Sequence, residues 1–273
     1  MLQFLRHLLV SLKMTILLRN HWVNPISAFR FMLCVHCQSI QAEMLTKFKV
    51  GDVPFLARPQ DWFTLEEILL EAEYDFIEHI VDKPSLNSVV DVGANIGLFS
   101  IYILSKWPSV KMYSIEPSQS TYQILEQNRK LNPNLNWQTF RYALWKHNGH
   151  VNFENKEYST GSRINLDLKT TEIVPAINLP TLLSKCGVPV DVMKLDIEGA
   201  EEAVLTDNQD TLQSINTLII EIHPHLCNQE RIVTILREIY NFLYYIPNRR
   251  SSKPLLVASH KAFSLPIFRN GAF

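Results

Sequence analysis

Short apolar runs alternate with amphipathic stretches along most of this chain, which predicts strands separated by helices. The predicted main strands are Ser88–Asp91, Lys111–Glu116, Trp137–Leu144, Val190–Leu195, Asn216–Ile222, Asn241–Pro247 and Pro254–Ser259. The predicted helices among them include Ser120–Leu131, Leu179–Cys186 and Gln229–Tyr240, and an extra strand is expected at Val151–Tyr158. An α/β fold is therefore expected.

The first twenty residues carry an apolar stripe at helical spacing, formed by Leu2, Leu5, Leu9, Leu12 and Ile16. Arg6, Lys13 and Arg19 interrupt them, so no uncharged run approaches the roughly 18 residues of a spanning helix. No small-residue cleavage site follows, which argues against a signal peptide. We predict a helix over Leu2–Leu18 whose apolar face packs on the domain or on a dimer partner. The alternatives are an interfacial membrane helix and a mobile arm.

The segments before the first strand suggest two parts, an N-terminal helical extension with a small hairpin over residues 1–60 and a main domain over residues 61–273. The hairpin is expected at Phe48–Phe55. Trp62–Val81 is predicted to be an amphipathic helix or a pair of helices. Cys34 and Cys37 have the spacing of zinc ligands, but no second pair completes a site, so ordinary packing is expected.

A strand, a tight turn and a helix start follow one another within Ser88–Ser100, whose sequence is SVVDVGANIGLFS. Gly93 and Gly97 allow a sharp turn and close approach to a ligand, and the helix N-terminus offers free N–H groups. Glu116 lies 19 residues beyond Gly97, at the end of the next apolar run. An acid at this distance is suited to accept hydrogen bonds from both hydroxyls of a ribose.

This turn differs from the fingerprint of dinucleotide-binding dehydrogenases. It reads D-x-G-x-N-x-G, from Asp91 to Gly97, and lacks the third glycine. An acid beside the turn repels a pyrophosphate but favours a cation. S-adenosylmethionine carries a sulfonium, an ammonium and a ribose but no phosphate, so it fits better than NAD. A turn of this shape that binds nothing is the alternative.

Four blocks occur in order between about Glu73 and Pro224: DVGANIGLFS, IEPS, LPTLLSKCGVPVDVMKLDIEGAE and IIEIHP. Together they resemble the FkbM-type methyltransferases, a class I S-adenosylmethionine-dependent family, and KLDIEGAE is the most distinctive block. The resemblance implies a Rossmann-like seven-stranded class I methyltransferase sheet with helices on both faces. The closing helix and hairpin of this chain match that sheet, whose last strand runs antiparallel.

The family resemblance further implies O-methylation of a hydroxyl on a sugar or natural-product-like small molecule. The expected cofactor-binding residues are Asp91, Gly93, Ala94, Asn95, Gly97, Glu116, Pro117, Tyr142, Ala143 and Asp196. The sequence departs from the family pattern at one position near the expected adenine site. Arg141 stands before Tyr142 and Ala143, where the family often has an asparagine. In this family the segment around Glu73 and Tyr74 covers the cofactor mouth, so either side chain is a candidate contact. A solvated acidic face is the alternative there.

The candidate catalytic residues lie at the carboxyl ends of two predicted strands. Lys194 and Asp196 share one face of their strand, and the lysine needs a partner in an apolar strand. Glu221 and His223 end the next strand, and His223 is the candidate general base for the acceptor hydroxyl. An ion pair that merely stabilises the turn is the alternative. No metal is expected, although Asp196 and neighbouring acids could hold magnesium.

The amino-acid composition limits the kinds of binding partner that can be expected. The chain has 273 residues, of which 47% are hydrophobic, and a net charge of −1, which argues against a nucleic-acid binder with a broad basic surface. Four scattered cysteines favour a reducing cytoplasm over a disulfide scaffold. The expected partners are a small-molecule or glycan acceptor, a homo-oligomer partner and a membrane surface contacted through residues 1–20. The rivals are a methyltransferase for nitrogen or protein acceptors and a catalytically silent S-adenosylmethionine-binding protein.

Overall fold

The structure is a computed structural model that describes residues 2–37, 44–81, 86–155, 162–164, 172–187, 189–246 and 253–263. Its helices are α1 (Leu2–Leu17), α2 (Pro25–Cys37), α3 (Trp62–Leu65), α4 (Ile77–Ile80), α5 (Leu98–Lys106), α6 (Gln119–Lys130), α7 (Leu179–Cys186), α8 (Glu201–Asp207), α9 (Gln209–Leu212) and α10 (Gln229–Ile239). Its strands are β1 (Thr46–Val50), β2 (Val53–Ala57), β3 (Ser88–Val92), β4 (Lys111–Ile115), β5 (Trp137–Phe140), β6 (Ala143–Leu144), β7 (Gly149–Glu154), β8 (Arg163–Ile164), β9 (Glu172–Ile177), β10 (Val190–Leu195), β11 (Ile215–Glu221), β12 (Phe242–Ile246) and β13 (Leu255–Ser259).

A seven-stranded sheet forms the centre, in the order β12-β13-β11-β10-β3-β4-β5. The strands from β11 to β5 run parallel, whereas β13 is antiparallel to both of its neighbours. Helices cover both faces of the sheet. Alternate residues of each strand point to opposite faces, so Val89 and Val192 join one apolar cluster and Val90 and Met193 join the other. The predicted sheet, including its antiparallel last strand, is confirmed.

The predicted third strand, Trp137–Leu144, is divided between two sheets. Trp137–Phe140 pairs with β4 in the central sheet, whereas Ala143–Leu144 pairs with β9 in a four-stranded sheet of order β6-β9-β7-β8. The extra strand predicted at Val151–Tyr158 is β7, and residues 156–158 lie outside the described residues.

The predicted small hairpin is confirmed as β1 and β2, and it packs on the same apolar cluster as one face of the central sheet. Asn128 on α6 connects the hairpin to the domain, since its side chain bonds both the N–H (2.7 Å) and the C=O (3.1 Å) of Leu56. The same amide donates to Ile96 O at 2.9 Å, next to the glycine turn. One buried amide therefore holds the hairpin against the turn.

The predicted N-terminal helix is confirmed as α1. The described part of its apolar stripe does not pack on the domain, and packing on a dimer partner stays a prediction. Leu9, Leu12 and Ile16 are 65%, 49% and 49% exposed. Ser11 and Thr15 are buried instead, on the side that packs against α2. None of the described helices has the length and apolar character needed to cross a bilayer.

Candidate active site

The glycine turn after β3 lies directly against the end of β10. Gly93 has φ +77°, and a Cβ added there would lie 1.7 Å from the carbonyl oxygen of Asp196. The N–H of Gly93 donates to Ile115 O, and that of Asp196 donates to Val92 O. Only glycine therefore allows β3 and β10 to deliver their carboxyl ends to one place.

Gly97 acts at the far end of the same turn, where it is the N-cap residue of α5 with φ +88°. An added Cβ would lie 2.6 Å from Leu125 and 2.8 Å from the Trp137 ring. Gly97 thus packs against the interior and does not line the cavity described below. Its predicted role in binding is reduced to shaping the turn.

Glu116 connects the turn after β3 with the turn after β4. One carboxylate oxygen accepts the N–H of Asn95 at 2.9 Å, and the other accepts the N–H of Ser118 at 2.9 Å. Burial raises the pKa of Glu116 to about 7, although both amide bonds oppose that shift. Each carboxylate oxygen keeps a second lone pair, so Glu116 can still accept hydroxyl groups from a ligand.

Lys194 is buried between two acids. Its Nζ lies 3.6 Å from Asp91 Oδ1, 3.3 Å from Asp196 Oδ2 and 5.8 Å from the centre of the Phe99 ring. Burial favours the neutral amine, yet Asp196 and Asp91 outweigh it and hold the pKa of Lys194 above its usual value. The pairing that the sequence demanded for this lysine is confirmed.

Asp91 does not line the cavity and is fully buried. Its carboxylate accepts the hydroxyl of Ser100 at 2.7 Å and faces Lys194. The expectation that Asp91 attracts a cationic ligand directly is therefore wrong, because Lys194 already neutralises its charge. Asp91 therefore holds the ammonium group of Lys194 from a position outside the cavity lining.

An open cavity lies at the carboxyl ends of β3, β4 and β10, and it holds about 870 Å³ of empty space when the part open to solvent is included. The sequence-predicted residues that line it are Gly93, Ala94, Asn95, Glu116, Pro117, Tyr142, Ala143, Lys194, Asp196 and Glu221. Arg141, the departure from the family pattern, points elsewhere: it forms an ion pair with Glu172 and donates to Pro117 O.

The predicted helix at Trp62–Val81 is broken into short pieces that bring acids to the cavity. A π-helical turn occupies Glu66–Leu70, and Ala72 has φ +55°, which ends the helix before α4 begins. Glu67, Glu73 and Tyr74 all line the cavity, so this acidic surface is not simply solvated.

Six carboxyl side chains line the cavity: Glu67, Glu73, Glu116, Asp196, Glu198 and Glu221. Burial, together with neighbouring carboxylates, raises the pKa of Glu67 to about 8, of Glu73 to about 7 and of Glu221 to about 8. Among the described lining residues, Lys194 is the only cation. Such a wall favours a cationic ligand over a phosphate.

The sequence profile of the methyltransferase FkbM domain matches residues 91–250, which is more than half of the chain. The chain belongs to this family. It is similar to the hexuronic acid methyltransferase AglP of Haloferax volcanii, with 28% identity over 74% of this chain and 83% of the relative. It is also similar to the methyltransferase sdnD of Sordaria araneosa, with 34% identity over 34% of this chain and 32% of the relative. The solved structure of a human methyltransferase 10 domain containing protein aligns with a TM-score of 0.45 and 11% identity, over 71% of this chain and 83% of that one.

His223 of this FkbM methyltransferase is fully buried and does not line the cavity. Its Nδ1 lies 2.8 Å from Glu201 Oε1, and its Nε2 lies 3.0 Å from Glu198 Oε2. Burial disfavours the imidazolium, but Glu198 and Glu201 outweigh it and raise the pKa of His223 to about 10. The predicted general base is thus already protonated at neutral pH, so this role does not fit the geometry.

Asp196, Glu221 and His223 each offer one ligand atom within 4.8 Å of the others, which is the spacing of a metal site. Ammonium groups already lie beside both acids: Lys194 is 3.3 Å from Asp196, and Lys253 is 3.4 Å from Glu221. A metal bound to His223 Nε2 also has to displace a tightly held proton. These contacts favour cationic side chains over a metal at this position.

Sequence reasoning missed Glu198, Glu201 and Lys253 as members of this cluster. Lys253 lies 3.3 Å from Glu198, and with His223 it holds the pKa of that carboxyl at about 2 despite burial. Glu201 accepts the N–H of Gly199 at 2.8 Å and thereby fixes the turn after β10. Three acids so close together in KLDIEGAE were the available signal, since buried acids require cationic partners.

Proposed function

We propose that this methyltransferase uses S-adenosylmethionine to methylate a hydroxyl group of a sugar or of a natural-product-like small molecule. The observation that supports this cofactor is the cavity beside the glycine turn, which is lined by several acids and in which Glu116 is available to accept ribose hydroxyls. The relative whose name specifies a hexuronic acid substrate supports the sugar acceptor.

The residues present suit this cofactor. Glu116 is available for the ribose hydroxyls. Tyr142 and Ala143 line the same cavity, and they are the residues expected beside adenine from the family resemblance. Asp196 Oδ1 is buried and accepts no hydrogen bond within the described chain, so it is suited to the ammonium group or to the acceptor. When bound, S-adenosylmethionine supplies a methyl group on a sulfonium, and the protein has to align the acceptor oxygen with it.

Glu221 is the proposed base for the acceptor hydroxyl. It lines the cavity, whereas His223 lies behind it, and burial together with Asp196 raises the pKa of Glu221 to about 8. A base with a pKa near the working pH is the most effective kind. Lys253, 3.4 Å away, and the His223 imidazolium hold the carboxylate in place without neutralising it fully.

The test compares Glu221→Gln with the control Glu238→Gln. Glu238 is an exposed acid on α10 that does not line the cavity. We expect Glu221→Gln to lower kcat by about a hundredfold or more and to leave the Kd for S-adenosylmethionine nearly unchanged. The turnover of the wild type should rise with pH up to about 8, as the carboxylate loses its proton, and this rise should disappear in the variant. Turnover within a few-fold of wild type in Glu221→Gln would exclude it as the base.

Calorimetry with S-adenosylmethionine and NAD in parallel tests the cofactor itself. Labelled S-adenosylmethionine incubated with glucuronic acid glycosides, with simple amines and with a cell extract then identifies the acceptor. Label on an amine or a protein would favour the nitrogen or protein acceptor over a hydroxyl. Tight binding without labelling of any acceptor would favour a silent binding protein.

A further inference from the structure

The N-terminal helices carry an unusual concentration of exposed apolar side chains. Six of the twelve large hydrophobic residues that are exposed within the described chain lie between Leu9 and Ile26. We name them the apolar ridge, and they are Leu9, Leu12, Ile16, Leu17, Val23 and Ile26. Leu9, Leu12 and Ile16 share one face of α1 at helical spacing. Exposed apolar residues grouped on one face mark an interaction site more often than scattered single residues do.

Hydrogen bonds fix the ridge on the outer side of α1. Ser11 is fully buried, its hydroxyl donates to Met32 O at 3.1 Å, and it lies 3.0 Å from His36 Nδ1. Thr15, one turn later, is also buried and donates to Ser11 O. Turning α1 to bury its leucines would remove Ser11 from α2 and place its hydroxyl in solvent. The side of α1 that carries Ser11 and Thr15 therefore faces the protein, and the side that carries Leu9, Leu12 and Ile16 is left for another surface.

The charge of the same segment indicates which surface that is. Residues 1–37 contain no aspartate or glutamate but four basic residues, Arg6, Lys13, Arg19 and Arg30. Lys13, Arg19 and Arg30 are exposed, and Arg30 lies one turn from Ile26 on α2. A helix with leucines and basic residues on its outer side is the typical pattern of helices that lie in the plane of a membrane interface.

A second copy of this chain is a poorer occupant. If two ridges packed together in a symmetric dimer, each would bring its basic residues towards those of the other, and neither segment has an acid to pair with them. Like charges held together in this way oppose association. An anionic lipid headgroup supplies the missing negative charge, and the acyl region accepts the apolar side chains.

We propose that the apolar ridge docks this protein onto an anionic membrane surface, with α1 lying flat in the interface. The proposal does not depend on methyl transfer or on the identity of the acceptor. It assigns the exposed leucines to lipid and the neighbouring lysine and arginines to headgroups.

The experiment measures cosedimentation of the full-length protein with vesicles of pure phosphatidylcholine and with vesicles that also contain phosphatidylserine. We expect the wild type to bind the anionic vesicles at least tenfold more tightly than the neutral ones, and to release them at high salt. The triple variant Leu9→Gln, Leu12→Gln, Ile16→Gln should bind at least tenfold more weakly. Ile173→Gln, which changes an exposed apolar residue outside the ridge, is the matched control and should bind like the wild type.

A second variant tests the charge separately from the apolar surface. The combination Lys13→Glu, Arg19→Glu and Arg30→Glu should abolish the preference for anionic vesicles. Melting curves should coincide for all variants, since the changed side chains are exposed. Equal vesicle binding by the wild type and the leucine variant would overturn the proposal, as would no binding by the wild type. A wild-type dimer that becomes monomeric in the leucine variant, without vesicle binding, would overturn it in favour of a second copy.

Discussion

Gly93 offers a direct test of how the glycine turn and the end of β10 are held together. In Gly93→Ala, the new Cβ would start 1.7 Å from the Asp196 carbonyl oxygen, and real Cβ atoms essentially never come within 3.0 Å of a neighbour. The turn therefore has to move by more than 1 Å. The atom in the way belongs to backbone, so no side chain can rotate to relieve the contact.

Two costs add up at this position. Forcing a residue with a Cβ into the left-handed region costs about 1–2 kcal/mol, and overpacking costs about 1–3 kcal/mol. Moving the turn also strains the hydrogen bonds that Gly93 donates to Ile115 O and that Asp196 donates to Val92 O. We expect the free energy of unfolding to fall by about 2–5 kcal/mol in Gly93→Ala.

Gly187→Ala is the matched control. Gly187 also has a left-handed backbone, with φ +64°, but apart from its chain neighbours no atom of the described residues lies within 4 Å of the Cβ that would be added. This variant pays only the backbone cost of about 1–2 kcal/mol. Urea denaturation of both variants gives the difference between them, and calorimetry should show weaker S-adenosylmethionine binding in Gly93→Ala alone. If Gly93→Ala costs no more than Gly187→Ala, the close approach of β3 and β10 is wrong.

Three further predictions concern charges in the site. Glu116→Ala should weaken S-adenosylmethionine binding by about 1–3 kcal/mol, measured by calorimetry, because charge-assisted bonds are lost, and unchanged affinity would remove Glu116 from the ribose site. The pKa of His223 is raised to about 10, so the stability that its ion pairs contribute is complete below pH 6.5 and is lost as the pH rises through 10. Urea titrations should therefore show that the free energy of unfolding falls more steeply between these pH values in the wild type than in His223→Gln. Parallel curves for the two proteins would contradict the ion pairs. EDTA should leave turnover unchanged, because Lys194 and Lys253 neutralise the acids, whereas loss of activity that magnesium restores would place a metal on Asp196, Glu221 and His223.

The central sheet was accessible from the sequence because its inner strands, such as Ser88–Val92 and Val190–Leu195, are buried on both faces and read as apolar runs. Val190–Leu195 has the predicted bounds, and the antiparallel position of Leu255–Ser259 follows the family pattern. The division of Trp137–Leu144 was not accessible, because both halves are extended and only their partners differ. Pairing between strands far apart in sequence depends on contacts that local propensity does not encode.

The sequence pattern also could not show which side of α1 faces the protein or whether His223 is protonated. Periodicity located an apolar stripe on α1, but the buried bonds of Ser11 decide which side of the helix faces α2. For His223, position at a strand end suggested a base. The two carboxylates that stabilise its protonated form come from the turn after β10 and from α8, and their distances are tertiary information.

During synthesis, β11 and β12 leave the ribosome before β13, although β13 lies between them in the finished sheet. Until Leu255–Ser259 arrives, β11 has an unpaired edge, and its residues Leu218–Ile220 are among the most apolar of the core. An open edge of this kind is a template for pairing with other chains. A chain that lacks Leu255–Ser259 therefore leaves this edge of β11 unpaired and cannot complete its central sheet.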